Sequence, residues 1–170
     1  MVETLKILFE IIHRTPFWVW VVLLILFRRG MALTTDSPTS LGRSIIMPGI
    51  FIIWGLNTII YQFKHPELLL DVYLIFLIPG FLFSYLLYKN IKYHFKNGEM
   101  IQQGSFLPLS IMLTNFLVKY TLNVILATNS SLYNNIEFNL LYGCISGFTI
   151  GLFFGGIYKT IKAKKRLANS

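Results

Sequence analysis

The sequence predicts an all-α fold, a polytopic membrane helical bundle of five transmembrane helices fronted by a short interfacial helix, and three observations carry that expectation. Hydrophobic residues make up 55% of the 170 and charged residues 13%, with a mean hydropathy of +0.63, more apolar than a water-exposed domain needs to be. The apolar residues come in runs of roughly 20, the length that crosses a hydrocarbon core as a helix. Polar stretches containing Pro and Gly separate the runs, and most of the basic residues sit there. The chain, 1–170, reads as a single integral membrane domain.

Residues 2–13 set Val2, Leu5, Leu8, Phe9 and Ile12 at helical spacing against Glu3, Lys6 and Glu10, the pattern of an amphipathic helix lying in the interface. Glu3, Glu10 and Arg14 interrupt the hydrophobicity and no small-residue cleavage site follows, so no cleavable signal peptide is expected. Thr15 as N-cap and Pro16 as first helical residue open the first span, 16–33, with Phe17, Trp18 and Trp20 grouped as an interface belt. A loop rich in Thr, Ser, Pro and Gly leads to the second span, 44–63, which carries Pro48-Gly49, Trp54 and Asn57. Lys64-His65-Pro66-Glu67 is a tight polar connection to the third span, 68–88, where Asp71 lies near the start and Pro79-Gly80 predicts a kink or a local break.

Lys89, Lys92 and Lys96 open the next loop, which Asn97-Gly98 closes, and the fourth span follows at 105–127. The fifth, 138–158, has no charged residue and reaches about 31 Å at roughly 1.5 Å per residue. In it Gly143, Gly147, Gly151 and Gly155 recur every fourth residue, a smooth face on which another helix backbone can approach. The tail, 159–170, holds Lys159, Lys162, Lys164, Lys165 and Arg166 and is expected at anionic lipid headgroups. Basic residues thus alternate between the loops, which places the N-terminus outside and the C-terminus in the cytoplasm; Lys6 and Arg14 run against that count.

The fourth span contains the residue around which the others are placed. Lys119 sits deep in it, and Asn115, Lys119 and Asn123 form one helical stripe. A lysine at the centre of a membrane helix costs roughly 2.5–3.5 kcal/mol, so it needs a cavity, a partner or a reason. Measured from the external ends, Asp71 lies roughly 5 Å deep, Asn57 roughly 9 Å and Lys119 roughly 12 Å, and a lysine side chain can snorkel across much of the difference. Asp71 is the expected counter-ion, with Glu67 and Glu137 as competitors. Lys119, Asp71, Asn57, Asn115 and Asn123 then form a polar cluster that is either an architectural network setting helix register or an outward-facing pocket for an anion or a proton.

Other chemistry finds little support in the residues. The net charge of +8 is explained by topology signals, and no nucleic-acid motif accompanies it. Cys144 is the single cysteine, so one chain forms no disulfide. His13, His65 and His94 have no companion at ligand spacing. No paired-carboxylate, Ser-His-Asp, HExxH or phosphate-loop pattern occurs, so no catalytic residue, metal ligand or cofactor is assigned.

At TPFWVW (15–20), RSIIMPGIF (43–51), GSFLPL (104–109), FLVKY (116–120) and LYGCISG (141–147) the chain resembles a family of small bacterial inner-membrane proteins with no assigned function. The resemblance implies a bacterial cytoplasmic membrane and makes the Lys119-Tyr120 pair a family feature. Near Gly155-Gly156, where members often place an arginine, this chain departs, and Lys159 is left as the nearest basic group. The expected function is a non-enzymatic multi-pass membrane protein that packs with itself, as a homodimer, or with a membrane-protein partner through the glycine face. The alternative is a small transporter or binding protein built around Lys119, and a third reading is a membrane-bound redox or assembly factor.

Overall fold

The computed structural model describes residues 13, 15–96 and 99–168. Among the described residues five long helices follow one another: α1 (Phe17–Ala32), α2 (Leu41–Gln62), α3 (Pro66–Leu87), α4 (Leu107–Thr128) and α5 (Ile136–Ala168). Single 3-10 turns at Tyr88–Asn90 and Ser130–Asn134 finish α3 and link α4 to α5. The interfacial helix expected at 2–13 falls almost wholly outside the described residues; of it only His13 is described, helical and exposed.

Among the described residues four helices, not five, are long and apolar enough to cross a membrane: Ser44–Gln62, Pro66–Asn90, Leu107–Thr128 and Ile136–Arg166. The helix in the first expected span, α1, has 16 residues, about 24 Å at the usual rise, short of a hydrocarbon core of about 30 Å. It starts one residue after, and ends one residue before, the expected 16–33. Pro16, not Thr15, is the N-cap residue, and the Thr15 hydroxyl is bonded to the Tyr120 hydroxyl, so α1 begins level with the middle of α4. At the other end Gly30 lies against Leu109, near the start of α4, so the two helices run antiparallel.

The loops read as polar connections carry a second correction. They build an antiparallel three-stranded sheet in the order β1 (Ser37–Pro38), β3 (Glu99–Gln102), β2 (Tyr93–Lys96). β2 and β3 flank Asn97-Gly98, the strongest short hairpin signal a sequence offers, with Tyr93 opposite Gln102 and Lys96 opposite Glu99. Pro38, with no N–H to give, stands on an edge strand. The sheet is tied to the bundle where Gly104 N donates to Asp36 Oδ1 at 2.8 Å and Ser105 N to Leu33 O at 2.9 Å. A side chain at Gly104 would strike the Thr34-Thr35 backbone. This end of the bundle also receives the end of α5, which runs unbroken through the segment expected as a separate tail and totals 33 residues.

Inside the bundle α5 is central and packs against α2, α3 and α4, its most extensive contact being with α3. The two run parallel: Gly143, Gly147, Gly151 and Gly155 lie in turn beside Leu69, Tyr73, Leu77 and Ser84. At Gly147 and Gly151 an added Cβ would collide with the backbone carbonyls of Tyr73 and Leu77, so the contact is backbone against backbone. The Ser84 hydroxyl donates to Leu152 O at 2.5 Å across the same seam. α3 passes unbroken through Pro79-Gly80, and Gly80 is the reciprocal small residue, pressed on the Phe148 carbonyl. All four α5 glycines are buried here, so the face expected to receive a second copy or a partner is occupied by the chain's own α3.

Candidate functional site

Lys119 lies between α2, α4 and α5 and is only 1% exposed. Its ammonium donates to the Ser146 hydroxyl at 2.8 Å and stands 5.1 Å from the centre of the Tyr142 ring, a cation–π distance. Ser146 follows Tyr142 by four residues, so one turn of α5 delivers both. On the α2 side the approach is open because residue 55 is glycine: a Cβ there would come within 3.0 Å of Lys119 Nζ. Among the described residues no carboxylate pairs with this lysine.

The other residues expected in the cluster divide into two groups. Asn115 and Asn123 remain beside Lys119 on α4, but each gives its amide to its own helix, Asn115 to Ile111 O at 3.1 Å and Asn123 to Lys119 O at 2.7 Å. Asp71 and Asn57 lie elsewhere, both exposed. The cause is helical phase. Leu69 and Tyr73 turn toward α5, and Asp71, two residues from each, points to the other side of α3. Gly55 and Ile59 are likewise the inward residues of α2, which leaves Asn57 outward. The expected Lys119–Asp71 pair is therefore replaced by a lysine on neutral partners.

Residues that the sequence did not single out complete the site. Tyr142 is fully buried, with its hydroxyl toward Thr58, Ser146 and Asn123 yet within hydrogen-bond geometry of none. The Tyr73 hydroxyl and Asn115 Oδ1 are also buried without a partner. Buried polar atoms are normally satisfied, so the unsatisfied Tyr142 hydroxyl and Asn115 Oδ1, one on the turn of α5 that meets Lys119 and the other one turn before it on α4, mark this region as chemically unfinished. The signal available in the sequence was the spacing of Tyr142 and Ser146 on a helix already committed to close packing. Among the described residues no three His, Cys, Asp or Glu side chains gather as metal ligands. Two recesses at the sheet end, one of about 310 Å³ lined by Arg29, Ser37 and Gln102 and one lined by lysines, are separate from Lys119.

Four helices among the described residues fit to cross a membrane, three of them round a lysine that meets only neutral groups, define a class: a helical bundle suited to a bilayer, with a polar centre. The chain belongs to a family of unknown function, DUF6622, which matches residues 2–169. No curated protein and no solved structure matches it.

Proposed function

We propose that the protein is a non-enzymatic multi-pass protein of a bacterial cytoplasmic membrane that binds a small anionic solute at Lys119. The observation that carries this reading is the burial of Lys119 without a carboxylate. An architectural lysine in a membrane bundle normally has its counter-charge within the protein. Here the carboxylate of suitable depth, Asp71, is turned outward, and the buried Tyr142 hydroxyl on the same turn of α5 as Ser146 is a donor without an acceptor. An anion bound there would meet the ammonium together with the Ser146 and Tyr142 side chains. The sheet end faces the cytoplasm in this reading, since Arg28, Arg29, Lys89, Lys92, Lys96 and the basic end of α5 gather there, while Glu67, Asp71 and Glu137 lie toward the other end.

The test is thermal unfolding of the detergent-purified protein, wild type and Lys119→Met, across a panel of inorganic and carboxylic anions. A bound anion at about a hundred times its Kd stabilises by about 2.7 kcal/mol, a readable rise in Tm that the variant should lack. If no anion stabilises the wild type, the architectural reading replaces this one.

A further inference from the structure

At the sheet end a groove of about 720 Å³ runs between the turn after α3, strand β2 and the last turns of α5. Lys89, Lys92, Lys159, Lys162 and Arg166 line it, with Tyr93 at its floor. Among the described residues no carboxylate is ion-paired to any of these five cations. The groove is built rather than incidental. Tyr93 bonds its hydroxyl to that of Thr160 at 3.3 Å, which fixes β2 on α5, and Lys159 is held 4.6 Å above the Tyr85 ring. Two sequence-distant segments, 89–93 and 159–166, thus hold like charges side by side, an arrangement that costs repulsion unless an anion fills it.

What lies next to the groove selects the kind of anion. Toward the middle of the bundle the lysines give way to an aromatic cluster, with Tyr85 5.7 Å and Phe81 5.8 Å from the Tyr158 ring. Leu82 and Leu86 on α3 are more than half exposed. A ligand that used the whole surface would carry a phosphate at one end and a hydrocarbon chain at the other. We propose that this groove binds the phosphate-bearing headgroup of an acidic membrane phospholipid, with an acyl chain lying along Tyr85, Tyr158 and the exposed leucines. A free phosphate satisfies only the lysines, and so does a polynucleotide. The proposal rests on the membrane reading above and is independent of Lys119.

The experiment measures lipid retention and Tm of the full-length protein in phosphatidylcholine micelles doped with phosphatidylglycerol or cardiolipin. Acidic lipid should be retained and should raise Tm, while excess inorganic phosphate should do neither. Near a surface each lysine contributes about 1 kcal/mol, so Lys159→Gln with Lys162→Gln should weaken retention about 30-fold. Lys164→Gln with Lys165→Gln removes the same charge from the same helix outside the groove, so a site that reads contact and not bulk charge should lose clearly less retention in this pair than in the first. Equal losses in the two double variants would mean diffuse charge and would overturn the site. Inorganic phosphate acting as well as lipid would overturn the choice of ligand. If the first double variant unfolds in plain phosphatidylcholine, Lys89→Gln with Lys92→Gln provides the same reading. Recovery of the expressed chain outside the membrane fraction would sink the membrane reading itself, whereas a membrane-embedded chain without lipid preference sinks only the groove.

Discussion

Against α3, helix α5 presents glycines, and against α2 and α4 it presents Tyr142 and Ser146. The first contact is close-packed: backbones touch, Ser84 is bonded, and nothing the size of a methyl group fits at Gly147 or Gly151. The second is polar and incomplete, with a lysine on neutral partners and the Tyr142 hydroxyl unsatisfied. One helix therefore has a face defined by the absence of side chains and another defined by polar side chains lacking partners. Small residues hold membrane helices together through close packing, whereas buried polar groups retained at a stability cost mark function. The glycine seam is close packing, and the lysine face is where the proposed solute binding would reside.

The sharpest way to break that division is to fill the seam. Gly147→Val drives a branched side chain into the Tyr73 carbonyl and should cost at least about 3 kcal/mol, read as loss of folded protein after detergent extraction. A variant that keeps the wild-type Tm would mean that α3 and α5 do not meet as described. The lysine should behave in the opposite way. Lys119→Met leaves no charge stranded and is expected to be as stable as wild type or up to about 2 kcal/mol more stable. A loss of about 3 kcal/mol or more in that variant would point to a hidden carboxylate partner and erase the contrast.

Smaller changes sharpen the comparison. Ser84→Ala removes the single side-chain bond of the seam and should cost roughly 0.5–1 kcal/mol, far less than the glycine change, because packing and not hydrogen bonding dominates there. Gly49→Ala on α2 meets nothing within 4 Å and should gain roughly 0.5–1 kcal/mol, in contrast to the seam glycines. The smallest expected effect is at high pH. Burial raises the Tyr93 hydroxyl above its ordinary value of 10.0, against the lowering from its bond to Thr160, so the fold favours the neutral phenol. That contribution is whole below the ordinary value and is lost as pH rises through the raised one. Tyr93→Phe should accordingly lessen the fall in Tm above pH 10.

Much of this architecture was legible in the chain because it follows from local periodicity. Runs of apolar residues mark α2, α3, α4 and α5, and the four-residue recurrence of glycine marks a close-packing face whatever packs on it. The lysine stripe of Asn115, Lys119 and Asn123 is visible in the same way, and Asn97-Gly98 was a hairpin signal masked by the polar loop around it. The bounds of α1 were legible to within one residue at each end, from Thr15-Pro16 at its start, but what the sequence did not show is that it packs with its start level with the middle of α4, where Thr15 meets Tyr120.

What the sequence determined by itself is the kind of solvent this chain is made for, the position of its helices and the presence of one cation where a cation is costly. Composition and period carry those facts, and both are local. Only the tertiary structure decided that α3 takes up the glycine face, that Asp71 turns away from Lys119, and that Lys89, Lys92 and Lys159 meet beside Tyr85. Each depends on the rotational phase of one helix against another, and a single residue moves that phase by about 100°. Depth in a membrane can be counted along a chain, but the direction a side chain faces is settled by the neighbour it packs against.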